Sequence, residues 1–148
     1  MSRRPFLVRA LLAAMLVSFA SSAQELDKKS LERILSKQGF SGQLTGNVKV
    51  RFAFLGNMKC GSAVLHVYYY TGEETHPPGK AIHFNRRLIF LENRTYLGQY
   101  DISNRPVLVK QRALRFPVSE ADGNLLECDR DGLPKSLLLD GGDRDIYR

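Results

Sequence analysis

The sequence predicts a mainly β fold with one short N-terminal helix: an antiparallel meander forming a small barrel or a two-layer sandwich, stapled by one disulfide. Three observations carry this. Residues 60–70, Cys-Gly-Ser-Ala-Val-Leu-His-Val-Tyr-Tyr-Tyr, are rich in β-branched and aromatic side chains and apolar on both alternating faces, as in a covered central strand. Turn residues recur at hairpin spacing through the rest of the chain. Cys60 and Cys128 are the only cysteines, and the chain opens with an export-type leader.

That leader is expected to span residues 1–23. Arg3, Arg4 and Arg9 precede an apolar run over residues 10–20, and Ser21-Ser22-Ala23 are the small residues a signal peptidase accepts. The run is shorter than the roughly 20 residues a membrane span needs. Ser2-Arg3-Arg4-Pro5-Phe6-Leu7 also fits a twin-arginine signal, although an ordinary secretory peptide is the simpler reading. Residues 24–148 then form a single exported domain, periplasmic or secreted. In that oxidising setting Cys60 and Cys128 are expected to pair. Closing so long a loop contributes roughly 4 kcal/mol in the chain-entropy picture.

A helix is expected over about residues 27–38. Asp27 is a good N-cap, Leu26 and Leu31 can form a hydrophobic staple, Leu31, Ile34 and Leu35 make the apolar stripe, and Gly39 suits the stop. Val48, Val50, Phe52 and Phe54 then alternate with Lys49, Arg51 and Ala53, a strand with one wet face. Residues 55–58, Leu-Gly-Asn-Met, read as a hairpin turn into the central strand. Pro77-Pro78 breaks the chain before alternation resumes at Ile82, Phe84, Leu88 and Phe90. Arg86 falls in phase with that apolar set, so a bulge is expected near residues 85–87. Glu92-Asn93-Arg94 turns the chain into Tyr96, Tyr100 and Ile102. Residues 107–116 read as one strand, and residues 125–128 return toward the central strand. A final hairpin joins residues 136–139 to 145–148.

Charge is unevenly spread. The whole chain carries a net +7. Residues 80–115 are strongly basic and residues 116–148 acidic, an asymmetry that either neutralises itself across a compact fold or makes a face for an anionic partner. Arg86, Arg87, Arg94, Lys110 and Arg112, with Tyr96 and Tyr100, are the candidate binding face, and Arg105 and Arg115 belong to the same basic stretch; guanidinium groups grip carboxylates and tyrosine gives rigid contact area.

Other chemistry is poorly supported. His66, His76 and His83 could converge with Glu73 or Glu74, but their spacing matches no compact metal-ligand pattern. Residues 127–132 imitate the start of a calcium loop, yet its twelfth position is Leu138 in place of the closing glutamate. No Gly-x-Ser-x-Gly elbow and no Ser-x-x-Lys pair occurs. Asn93-Arg94-Thr95 matches a glycosylation acceptor, a match that carries no meaning in a bacterial protein and is treated as chance. No cofactor motif is present. The expectation is therefore a non-catalytic periplasmic protein that binds another macromolecule of the cell envelope, a protein or anionic polymer, as an inhibitor, immunity-type or assembly factor. Nucleic acid is an unlikely partner for an exported chain. The competing expectation is a small-ligand or metal-binding barrel, conceivably a hydrolase, with its site near His66, His83 and Tyr68.

Overall fold

The computed structural model describes residues 24–74, 84–117, 125–139 and 142–147. The expected leader at 1–23, Pro77-Pro78, His76, Ile82, His83 and Asp140 lie outside the described residues. Helix α1 spans Lys28–Lys37, and nine strands follow: β1 (Val48–Cys60), β2 (Ala63–Glu74), β3 (Phe84–Glu92), β4 (Thr95–Asp101), β5 (Val107–Val109), β6 (Ala113–Arg115), β7 (Leu125–Glu127), β8 (Ser136–Leu139) and β9 (Gly142–Tyr147). One six-stranded sheet has the order β1-β2-β3-β4-β9-β8, and a three-stranded sheet has the order β5-β6-β7. All pairings are antiparallel. The large sheet is open, with β1 and β8 as its edges, so the fold is a sandwich and the barrel alternative falls.

Each face of the large sheet is covered differently. Leu31 and Leu35 of α1 pack on Val50, Tyr68, Tyr70, Ile89, Leu91 and Tyr96. On the other face, Leu114, Phe116 and Leu126 from around the small sheet pack on Met58, Leu65, Val67, Leu88, Phe90 and Tyr100. Burial of β2 on both faces follows from its side-chain period of two: Leu65 and Val67 serve one core, Tyr68 and Tyr70 the other. The helix forms where expected. Asp27 accepts hydrogen bonds from the Ser30 hydroxyl at 2.6 Å and the Ser30 amide at 3.0 Å, which together hold its carboxyl below the usual carboxylate range. Gly39, at φ +86°, takes the left-handed backbone that ends it.

Three sequence expectations change. Residues 55–58 are no turn: β1 runs through them with a bulge, Phe54 facing Tyr68 and Gly56 facing Val67 so that Leu55 is extra. Glycine marks bulges as well as turns, and here its φ is +129° while a Cβ would meet Leu108 Cδ2 at 2.7 Å. The turn instead lies at Gly61-Ser62, between the paired Cys60 and Ala63, so the central strand begins at Ala63. Residues 107–116 divide into β5 and β6 around Lys110 and Gln111, both at positive φ. No bulge occurs at residues 85–87; the register with β2 is continuous there, and the irregularity is at Leu97, between the Phe90–Gly98 and Leu91–Tyr96 pairs.

The disulfide forms as expected. Cys60 and Cys128 are joined with their Cα atoms 5.3 Å apart, tying the end of β1 to the chain just after β7. No helix among the described residues is long and apolar enough to cross a membrane.

Candidate surface site

Arg86 and Arg87 are neighbours in β3, and strand alternation sends them to opposite faces. Arg87 enters the helix side. Its Nη1 donates to Ser41 Oγ at 2.8 Å, and its guanidinium lies 5.6 Å from the Phe40 ring centroid. Its Nε is 3.2 Å from Asp101 Oδ1, within ion-pair range, but that carboxylate oxygen makes no aligned hydrogen bond, so the contact is electrostatic. Gln99 Nε2 also donates to Ser41 Oγ, and the Tyr96 hydroxyl donates to Gln99 Oε1. Arg87 thus anchors the segment after the helix to the sheet and has little surface left for a partner.

Arg86 faces the other way, beyond the reach of the small sheet. Its Nη1 donates to the Ser103 carbonyl at 3.0 Å, and its guanidinium lies 5.3 Å from the ring centroid of Phe84, which is 50% exposed. Beside it, the Arg105 guanidinium sits 6.0 Å from the Tyr69 ring centroid. Burial pushes the Tyr69 hydroxyl up, and the positive charges of Arg86 and Arg105 pull it partly back. Register completes the surface. Arg51 and Arg86 both flank Thr71, and Lys49 and Phe84 both flank Glu73, all on this face. The result is a platform of Lys49, Arg51, Arg86 and Arg105 interleaved with Phe84 and Tyr69, at the end of the sheet where β2 finishes and β3 begins.

The other expected members lie elsewhere. Tyr96 and Tyr100 are core residues, 8% and 0% exposed. The extra residue Leu97 puts them on opposite faces although their spacing of four suggests one. Burial pushes the Tyr96 hydroxyl up to about 12 and raises that of Tyr100 too, helped by Asp129. The Tyr100 hydroxyl donates to the Pro134 carbonyl, and its ring packs edge-on against Phe90. Arg94, at φ 67°, sits in the β3–β4 turn, where its carbonyl accepts from Gln38 Nε2. Lys110 and Arg112 belong to the β5–β6 turn, which is fixed by the Lys59 amide donating to the Gln111 carbonyl at 2.8 Å. Both turns lie at the far end from Arg86: along β1, Arg51 and Lys59 are separated by about 25 Å at the usual rise.

His66 is also at that far end. It faces the helix side, its ring centroid 6.3 Å from that of Phe54, and burial lowers its pKa. Its Nδ1 and the Oδ1 of Asn57, its cross-strand partner, are buried with no hydrogen-bond partner. It lines a cavity of about 890 Å³ with Glu25, Asp27, Ser30, Glu92 and Arg94. Glu73 and Glu74 are at the opposite end of β2, too distant to share a shell with it, and the Tyr68 hydroxyl accepts from the Leu26 amide at 2.9 Å. Among the described residues no group of three His, Cys, Asp or Glu could hold a metal ion. Asp129 and Asp131 make a turn, with Asp129 Oδ1 accepting from the Asp131 amide.

Sequence reasoning missed Lys49, Arg51, Tyr69 and Phe84 as members of the surface that holds Arg86 and Arg105. The alternation of Lys49 and Arg51 was visible, but their register with Arg86 was not. No protein-family model, curated protein or solved structure matches the chain.

Proposed function

We propose that this chain is an exported, non-catalytic binding protein that recognises an acidic macromolecule of the cell envelope. The observation that carries the reading is the platform itself: Arg86 stacked on half-exposed Phe84, beside Arg105 on Tyr69, with Arg51 and Lys49 in register. An arginine held over an aromatic ring is partly desolvated and pre-oriented, which favours a carboxylate partner over water. The disulfide supports export, because such bonds persist in oxidising compartments.

Polyglutamate is the simplest probe. The mature protein should bind it with an affinity that falls as salt rises. Arg86→Glu/Arg105→Glu should weaken binding at least tenfold with little change in melting temperature, whereas Arg94→Glu/Lys110→Glu at the far end should leave it intact. Equal loss in both pairs would mean only bulk charge, and the reading would fall.

A second reading has one observation in its favour, the cavity beside His66. It requires a small molecule or metal ion to raise the melting temperature, and His66→Gln to remove that shift.

A further inference from the structure

Among the described residues β1 pairs only with β2, and its outer edge lies next to the platform. Residues of a strand point their N–H and C=O alternately to either side. Lys28 Nζ donates to the Val50 carbonyl at 3.1 Å, and the Lys59 amide donates outside the large sheet to Gln111. The bulge at Leu55 shifts the phase by one, so both observations place Val50, Phe52 and Phe54 with their main-chain groups outward. Among the described residues nothing hydrogen-bonds Phe52 or Phe54 on that side. Their rings are half-buried and line a cavity of about 530 Å³ with Leu26, Leu31 and Tyr68, open between the helix start and the strand. On the opposite face of the same stretch, Lys49 and Arg51 are exposed.

From this we infer that the acidic partner is a polypeptide that docks as an added strand on the Val50–Phe54 edge. Its main chain pairs with Phe52 and Phe54. Apolar side chains on one face enter the cavity beside those rings, and acidic side chains on the other lie along Arg51 and Lys49 toward Arg86. Strand addition takes affinity from main-chain bonds and specificity from alternate side chains, and here the alternation demanded is apolar, acidic, apolar. A second copy of this chain does not meet that demand, because its own β1 edge would bring Lys49 and Arg51 against like charges. The inference rests on the binding reading above and adds the chemistry and conformation of the partner.

The probe is a nine-residue peptide alternating valine and glutamate, compared with the same peptide N-methylated at alternate residues along one edge. The first should bind the mature, oxidised protein and shift the amide resonances of Phe52 and Phe54; the second should bind at least tenfold more weakly. Phe52→Pro removes an amide hydrogen that points outward, a position where an edge strand tolerates proline, and should cause a similar loss; its melting curve reports whether it folds. Equal affinity for the two peptides, or shifts confined to the platform, overturns strand addition and leaves the platform standing. A dimer in sedimentation that Phe52→Pro dissolves assigns the edge to a second copy and also overturns it. Polyglutamate binding that ignores Arg86→Glu/Arg105→Glu instead defeats the platform reading, irrespective of the peptide result.

Discussion

The two faces of the large sheet are held by different means. On the helix side, polar groups reach across the layers: the Leu26 amide donates to Tyr68, Tyr70 to the Gln43 carbonyl, the Tyr96 amide to Gln38 Oε1, and Arg87 to Ser41. On the other side the small sheet relies on apolar packing, the close approach of Leu108 to Gly56, the main-chain bond from the Lys59 amide to the Gln111 carbonyl, and one covalent bond. A ten-residue helix can be registered by a few tyrosine and arginine contacts. Strands of three residues cannot, because each buries too little to hold its own place. The difference teaches that the disulfide stands in for core where the core is thinnest.

Removing that bond should have the largest effect. Cys60→Ala/Cys128→Ala should cost about 3–4 kcal/mol in chemical denaturation, with amide exchange rising first in β5, β6 and β7. If the loss appears equally around α1, the two faces are not independently held. Next comes the arginine pair. Arg87→Ala should cost about 1 kcal/mol, since it removes the hydrogen bond to Ser41 and the contacts with Asp101 and Phe40, while Arg86→Ala should stay within about 0.5 kcal/mol. Similar losses at both would refute their assignment to different roles. Tyr70→Phe removes the bond to Gln43 and should cost about 1 kcal/mol.

The pH dependence is smaller and of opposite sign at the two ends of the scale. Tyr96 keeps its proton to about 12 in the folded protein, against 10.0 for a free tyrosine. The unfolded chain therefore releases that proton first, and stability should fall as pH rises from 10 toward 12. Tyr96→Phe should flatten part of that decline. His66 has a folded pKa below 6.5, so the unfolded chain binds the proton more readily as pH falls through 6.5. Stability should drop there, and His66→Gln should lessen the drop. Thermal melts across both ranges measure these slopes.

What could be read from the sequence was local. The N-cap at Asp27, the stop at Gly39 and the turn at Asn93-Arg94 each depend on residues within a few positions, and each formed. The cysteine pairing needed only arithmetic and compartment. Phase was not legible. Gly56 looks the same in a turn and in a bulge, and nothing near Leu97 announces that Tyr96 and Tyr100 part company. The candidate face therefore mixed residues from two faces and two ends, and only Arg86 and Arg105 remained on the platform that pairing across β1, β2 and β3 creates. Such pairing depends on residues far apart in the chain, which a single sequence does not display.

Leu55 gives β1 a divided allegiance. Before it, Val50, Phe52 and Phe54 answer to the helix; after it, Met58 and Cys60 answer to the small sheet. Substitutions on either side are then judged by different neighbours, but a one-residue deletion at this point would turn half the strand inside out. Outside Gly56 and Cys60 the strand should accept conservative changes of spelling, and nowhere a change of count.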